Sequence, residues 1–266
     1  DIISNLGNGS GNAPSANLQD VIDSDPSVDI TVSDGDTTNI AATKLSSIGG
    51  ATGGTVTVSN AVNIQGNTSE VTAALVTDET KVVAASATVE ISNASTVAEL
   101  NALAPKAGVI TGSIAATSLA SLSDLSTAGT DLITITVNDG EGDNLNATDL
   151  SALGGKTGGT VTVSNAVVIS GTTSQVTAAL VTDDTKVTAS SALVTISDGD
   201  TTNIDATDLS AIGGKTGGAV TVSNAINIQG NTSQVTAALV TDETKVLAAN
   251  ATVEISNAST VAELNA

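Results

Sequence analysis

The sequence predicts a β-solenoid, a mainly parallel β structure in which short helices or arcs close each coil, with a leucine-rich-repeat-like shape. Three observations predict it: tandem repeats, short stretches in which apolar and polar residues alternate, and a restricted set of apolar side chains. The chain has 266 residues, of which 40% are hydrophobic and none is aromatic. Because Val, Ile, Leu and Ala must fill the core without large rings, the interior has to be built from thin layers.

The repeats are long and closely similar. VTVSNA begins at Val56, Val161 and Val220, and VTAALVTD begins at Val71, Val176 and Val235. Residues 30–102 and 194–266 are near-copies of each other. The repeat array therefore covers residues 28–266. Because the earlier copy runs on beyond the point at which the later copy stops, we expect the array to be truncated in mid-repeat and to belong to a longer protein.

Residues 1–27 do not match the repeat, and we predict that they form a separate segment. Residues 8–12 are a Gly/Ser/Asn-rich sequence typical of a flexible joint, and residues 17–23 are compatible with one helical turn. Three roles fit this segment: a cap on the first coil, a linker to a preceding domain, or a strand that docks on another subunit.

A four-residue apolar/polar alternation recurs along the array and is typical of a short strand with one buried face. It begins at Ile30, Val56, Val89, Ile135, Val161, Val194, Val220 and Val253, with an imperfect strand near Val109. One repeat buries too few side chains to offset the entropy of ordering it. We therefore expect about eight or nine stacked coils whose strands share one parallel sheet.

Short helices are predicted between the strands. Thr96 and Glu99 have the spacing of a capping box. Gly154 is placed as the C′ residue of a helix, the second residue after the last helical one.

An Asp or Asn follows every aligned strand, which predicts a structural ladder. Its members are Asp34, Asn60, Asn93, Asp139, Asn165, Asp198, Asn224 and Asn257. Stacked side-chain amides can hydrogen-bond along a ladder, and the Asn residues would separate the Asp carboxylates. The alternative is that Asn and Asp simply favour turns.

Three tight turns carry carboxylates close together and give candidate calcium ligands. They are Asp139, Glu141 and Asp143, then Asp34 and Asp36, then Asp198 and Asp200. Ca²⁺ takes six to eight hard oxygen ligands, which such loops can supply. The EF-hand pattern fails, because Asn144 and Leu150 stand where it needs Gly and Glu. Solvated acidic turns are the alternative interpretation.

Composition excludes several functions. The chain has no Cys and no His, so thiolate metal sites and Ser-His-Asp triads are ruled out, and we predict that it is not an enzyme. A formal net charge of −21 without Arg or aromatic side chains excludes the usual contacts to nucleic acid. The sequence contains no apolar stretch of about 18 residues, so no membrane span is predicted. Calcium is the one cofactor considered.

Two further motifs suggest chemistry. Gly155-Lys156-Thr157 and its copy at residues 214–216 look like part of a phosphate loop, but Leu150 and Leu209 replace the first glycine of that motif, so we interpret both as turns. A column of outward threonines suggests ice binding as a distant third function, although Glu90 and Glu254 interrupt it. The column is Thr31, Thr57, Thr136, Thr162, Thr195 and Thr221.

Residues 147–166 and 88–108 resemble repeats of giant, acidic, secreted cell-surface and adhesin-like proteins of bacteria, especially marine cyanobacteria, often of the RTX type. The resemblance covers about residues 28–266, and the RTX nonapeptide is missing. It implies export, a structural or adhesive role and often Ca²⁺.

We therefore predict a secreted, extracellular or cell-surface structural protein. Its rod-like repeat segment would self-assemble into a fibre, matrix or surface layer. Its partners would be other copies of itself or neighbouring repeats of a longer chain. The alternative is an adhesin stalk or binding module with Ca²⁺-stiffened coils.

Overall fold

The computed structural model describes residues 2–4, 14–241 and 244–261. In this part of the chain the α-helices are α1 (Ala16–Ser24), α2 (Ala42–Ala51), α3 (Thr68–Leu75), α4 (Val97–Leu103), α5 (Leu119–Leu122), α6 (Ala147–Gly154), α7 (Thr173–Leu180), α8 (Ala206–Gly213) and α9 (Thr232–Leu239). Short 3₁₀ helices occur at Asp78–Thr80, Ala104–Lys106 and Asp183–Thr185.

The strands are short, and most have two to four residues. In chain order they are β1 (Ile2–Ser4), β2 (Ile30–Val32), β3 (Asn39–Ala41), β4 (Val56–Val58), β5 (Asn63–Gly66), β6 (Val82–Val83), β7 (Thr88–Ser95), β8 (Val109–Ile114), β9 (Leu132–Val137), β10 (Asn144–Asn146), β11 (Val161–Val163), β12 (Val168–Gly171), β13 (Val187–Thr188), β14 (Leu193–Ile196), β15 (Asn203–Asp205), β16 (Val220–Val222), β17 (Asn227–Gly230), β18 (Val246–Leu247) and β19 (Thr252–Ile255).

Within the described residues the strands pair in parallel and form four sheets. Their orders are β1-β2-β4-β6, β13-β11-β9-β8-β7-β5-β3, β10-β12-β14-β16-β18 and β15-β17-β19. Equivalent residues of successive repeats stand opposite each other, as in the pairs Thr31 with Thr57 and Ile40 with Ile64. Parallel strands need a crossover between them, and the helices and loops of each repeat supply it.

The prediction of a β-solenoid whose recurrent strands share one parallel sheet is wrong. The protein is an α/β fold with several parallel sheets, the largest of seven strands, and helices between the strands. The sequence pattern missed the second strand of many repeats, such as β5, because Ile64 is the only fully buried residue among its four. A strand with one buried side chain shows no alternation, so these strands and the additional sheets they create were not predicted.

The chain divides into two compact units. The first comprises Asp1–Ala115, Asp124–Thr134 and Lys156–Gly159, and the second comprises Ala116–Ser123, Ile135–Gly155 and Thr160–Ala266. The predicted boundary after residue 27 falls within the first unit, where α1 buries Leu18 and Ile22. The predicted joint at residues 8–12 lies outside the described residues.

Local signals fix the ends of the short helices. The predicted capping box of α4 is confirmed: Glu99 N donates to Thr96 Oγ1 at 3.3 Å, and Thr96 N donates to Glu99 Oε2 at 2.8 Å. Gly154 is the last residue of α6 and not its C′ residue, so the helix ends two residues later than predicted. A Cβ at Gly154 would collide with the backbone oxygen of Thr185, so glycine is required there by close packing.

Candidate functional site

The acidic turn at residues 139–143 lies in the second unit, and two of its three carboxylates accept backbone hydrogen bonds. Asp139 Oδ2 accepts from Leu119 N at 2.7 Å, at the start of α5. Asp143 Oδ2 accepts from Gly140 N at 2.7 Å and so closes its own turn. Glu141 is exposed. The turn carboxylates therefore have a structural use whether or not an ion is bound.

The other two predicted calcium turns repeat one arrangement. Asp36 Oδ1 accepts from Ala61 N at 3.0 Å, and Asp200 Oδ1 accepts from Ala225 N at the same distance. Asp34 is buried, and the Oδ2 atom of Asp198 accepts from both the backbone N and the hydroxyl of Thr173. The carboxylates of Asp36, Asp198 and Asp200 thus hold the backbone of a neighbouring repeat in place.

No three Asp or Glu side chains lie close enough together to hold a metal ion in the residues that the structure describes. Calcium at the seven predicted residues stays a prediction. Thermal melting with added Ca²⁺ and with a chelator tests it, because an ion bound only by the folded chain raises the melting temperature.

The predicted ladder positions fall into two bonding patterns. In the first, an Asn amide donates to the backbone oxygen of the preceding ladder residue. The bonds run from Asn60 to Asp34 at 2.7 Å, from Asn165 to Asp139 at 2.6 Å and from Asn224 to Asp198 at 2.6 Å. Each spans 26 residues of sequence. These contacts join a side chain to backbone, whereas the ladder prediction invoked contacts between side chains.

In the second pattern, the ladder residue accepts from the first backbone N–H of a helix in the preceding repeat. Thr68 N donates to Asn93 Oδ1 at 2.7 Å, and Thr232 N donates to Asn257 Oδ1 at 2.7 Å. Asp198 and Asp139 act in the same way on α7 and α5. The first N–H groups of a helix have no partner within the helix, so an acceptor from the next repeat satisfies them.

Buried threonines in the glycine turns were not predicted as structural residues. Thr52, Thr157 and Thr216 occupy equivalent positions and are 5%, 2% and 7% exposed. Thr52 Oγ1 donates to Val28 O at 2.6 Å, and Thr216 Oγ1 donates to Ala192 O. The residues that suggested a phosphate loop thus point a hydroxyl into the protein. The signal was available, since Thr precedes Gly-Gly in all three turns.

Asp131 is a second residue that sequence reasoning missed. It is 5% exposed, and its two carboxylate oxygens accept from Ile110 N and Ala128 N, both at 2.8 Å. Asp131 stands outside the repeated positions, so no periodic signal marked it.

Two exposed glutamates bridge neighbouring strands. Glu90 Oε2 accepts from Gln65 Nε2 at 2.6 Å and from Asn63 Nδ2 at 3.1 Å. These two hydrogen bonds lower the pKa of the Glu90 carboxyl, with Gln65 contributing most. Glu254 makes the equivalent contacts to Gln229 and Asn227. The glutamates that interrupt the threonine column therefore belong to a repeated amide–carboxylate cluster.

The threonines considered for ice binding form three pairs, and the three pairs belong to different sheets. Thr31 pairs with Thr57, Thr136 with Thr162 and Thr195 with Thr221, and each pair lies in a different sheet.

An open pocket of about 410 Å³ occurs in the second unit, lined by Thr173, Asp198, Asp205 and Asp208 among others. Most of the residues that line it are polar, whereas typical small-molecule sites are lined mainly by hydrophobic and aromatic side chains. In the described residues, no helix has the length and apolar character needed to cross a membrane.

No family model, curated protein or solved structure matches the chain. The arrangement of the described polar groups is consequently the basis for a functional proposal. Those groups mostly satisfy backbone N–H and C=O groups of neighbouring repeats.

Proposed function

We propose that the chain is an extracellular structural protein whose repeats self-assemble into a fibre, matrix or surface layer. One observation carries the proposal: the bond from an Asn amide to a backbone oxygen 26 residues earlier recurs at Asn60, Asn165 and Asn224. Repeated polar contacts of this kind hold repeats to one another, which is the task of a structural element.

The charge distribution supports the same proposal. The net charge of −21 keeps the surface hydrated and opposes unspecific aggregation. Assembly would then depend on specific backbone pairing or on cations that screen the acidic surface. Export is part of the proposal and rests on the resemblance of residues 88–108 and 147–166 to secreted surface proteins.

Size measurement and microscopy test the assembly. The purified chain of residues 1–266, shown to be folded by circular dichroism, is examined by light scattering and negative-stain microscopy across a range of salt and Ca²⁺ concentrations. We expect ordered polymers of uniform width. A chain that stays monomeric at all concentrations and salts would contradict the fibre, matrix or layer. Antibody detection in the medium and on the surface of source cells tests export separately.

A further inference from the structure

The sequence contains a single Asp–Pro pair, and it lies between the first helix and the repeat array. Asp25 is the residue that follows α1, and Pro26 and Ser27 form the turn that leads to β2. The other two prolines, Pro14 and Pro105, follow alanines. Asp25, Pro26 and Ser27 are all exposed, so solvent has access to the turn.

An aspartate that precedes a proline carries a nucleophile beside an amide with a good leaving group. The side-chain carboxylate can reach the carbonyl carbon of its own residue and close a five-membered ring, so the attack is intramolecular. The proline nitrogen belongs to a tertiary amide. It takes up a proton more readily than the nitrogen of a secondary amide, and it leaves as a secondary amine.

The turn holds the Asp25 carboxylate through one of its two oxygens. Ser27 N donates to Asp25 Oδ1 at 3.1 Å, and Ser27 Oγ donates to the same atom at 2.8 Å. Asp25 Oδ2 accepts no hydrogen bond from the residues that the structure describes. The hydroxyl of Ser27, and then its backbone N–H, lower the pKa of the Asp25 carboxyl. The carboxylate nucleophile therefore persists in mild acid, where protons for the leaving nitrogen are more abundant.

The backbone on both sides of the Asp25–Pro26 bond is held as well. Asp25 O accepts from Val28 N at 3.1 Å. Attack on the carbonyl carbon places negative charge on this oxygen, and a donor that is already in position stabilises that charge. Gly53 N donates to Pro26 O at 2.6 Å and so fixes the proline to the glycine turn of the next repeat.

We propose that the chain cleaves itself at the Asp25–Pro26 bond, in a turn that assists the reaction, and so separates residues 1–25 from residues 26–266. Asp25 Oδ2 forms a bond to the Asp25 carbonyl carbon, the bond from that carbon to the Pro26 nitrogen breaks, and the nitrogen takes a proton from the solvent. Water then opens the cyclic anhydride and leaves Asp25 with two carboxyl groups. The net reaction is hydrolysis and needs no reactant besides water. The inference goes beyond the proposed function, because cleavage requires neither assembly nor export.

Incubation of the purified chain at about pH 4 and about 37 °C tests the cleavage. The products can stay together after the bond breaks, because α1 buries Leu18 and Ile22. They are therefore separated under denaturing conditions and identified by mass spectrometry. We expect one fragment that ends at Asp25 and one that begins at Pro26. A chain that is still intact after several days would overturn the proposal.

Two aspartate variants test the nucleophile. Asp25→Ala removes the attacking oxygen and should abolish the cleavage. Asp23→Ala is the matched control, because this exposed aspartate bonds to Gln19 and is not followed by proline, and it should cleave like the original chain. Both positions are exposed, so both variants should fold, which circular dichroism checks. Cleavage of the Asp25→Ala chain at the original rate would overturn the proposal.

Two further comparisons test the assistance by the turn. Ser27→Ala removes the hydroxyl that lowers the pKa of Asp25, so the cleavage rate should stop rising with acid at a higher pH than in the original chain. A peptide of residues 20–32 has the same bond without the contact to Gly53, and it should be cleaved about threefold or more slowly than the folded chain. An unchanged pH profile in Ser27→Ala, or a peptide as reactive as the folded chain, would overturn the proposed role of the turn.

Discussion

Thr157 Oγ1 lies 2.9 Å from the backbone nitrogen of Ile133 and 2.7 Å from its backbone oxygen, so one hydroxyl satisfies both polar groups of a buried residue. It also accepts from Gly159 N at 2.9 Å. The hydroxyl thereby fixes a glycine turn to the strand β9, in a sequence that has no aromatic side chain to fix the turn by packing.

Removing this hydroxyl should destabilise the protein. Thr157→Val keeps the side-chain shape but leaves buried backbone groups without a partner, and we expect a loss of about 1–3 kcal/mol in the free energy of unfolding. Urea titration followed by circular dichroism measures it. Thr162→Val, at an exposed position of β11, is the control and should change stability by less than about 0.5 kcal/mol. Similar losses in both variants would show that the Thr157 bonds are unimportant.

The two adjacent glycines at the C-terminal end of α6 should respond differently to alanine. Gly154→Ala would drive a Cβ into the backbone oxygen of Thr185, so the backbone must shift, and we expect a loss of about 1–3 kcal/mol. Gly155→Ala meets nothing closer than 3.5 Å and has helical backbone angles, so it should be tolerated or slightly stabilising. Thermal melting of the two variants side by side is the measurement. A lower melting temperature for the Gly155 variant than for the Gly154 variant would refute this packing account.

Asp131→Ala should also be costly. The carboxylate accepts two backbone N–H groups, from Ile110 and Ala128, and its removal leaves both without their acceptor. We expect a loss of about 1.5–3 kcal/mol in denaturant titration. Asp200→Ala serves as a control, since this exposed carboxylate accepts one backbone bond, from Ala225 N. Equal losses of unfolding free energy in the two variants would contradict the expectation that the buried carboxylate contributes more than the exposed one.

Glu99 should contribute a measurable pH dependence. Hydrogen bonds from the backbone N–H of Thr96, and then from its hydroxyl, lower the pKa of the Glu99 carboxyl from its ordinary value of 4.5. A carboxyl with a lower pKa in the folded state stabilises the protein above about pH 4.5, and this contribution is lost as the pH falls through the folded pKa. The free energy of unfolding should therefore fall less steeply between about pH 5 and pH 3 in Glu99→Gln than in the original chain.

The chain supplies its own precedent for this substitution. Gln175 occupies the same position of α7, where Thr172 N donates to Gln175 Oε1 at 2.8 Å. Glu99→Gln should thus keep the capping box and lose only the titration. Parallel curves for the two proteins across this pH range would show that Glu99 does not have a lowered pKa.

The sequence located the recurrent strands because β-branched residues alternate with polar ones over enough positions to be visible. The strands at Ile30, Val56, Val161 and Val220 begin where the alternation begins. The same alternation signal is absent from strands such as Asn39–Ala41, whose single buried residue is Ile40, so these strands were not predicted. Pairing into separate sheets depends on where the chain turns between those short strands, and hydrophobic periodicity carries no information on that.

The candidate site was predicted only in part. Asp139 and Asp198 were identified as important turn residues, but their backbone partners, Leu119 N and Thr173 N, lie 20 and 25 residues away in sequence. The sequence predicts a turn at Thr157 but not the burial of its side chain, because a hydroxyl beside glycines looks the same in sequence whether it faces water or the interior. Burial decides between the two, and burial of one side chain is a property of the packed neighbours.

The recurrence of the same Asn bond in near-identical repeats has a genetic consequence. Near-identical repeats favour unequal recombination in the coding DNA, which removes or adds whole repeats. Deletion of residues 161–219 would bring Val220-Thr-Val to the position of Val161-Thr-Val, so β9 would meet a strand of unchanged sequence, and Asn224 would replace Asn165 as the donor to Asp139. We therefore expect natural variants of this protein to differ in length by complete repeats and still fold, so that its size can evolve without redesign of its core.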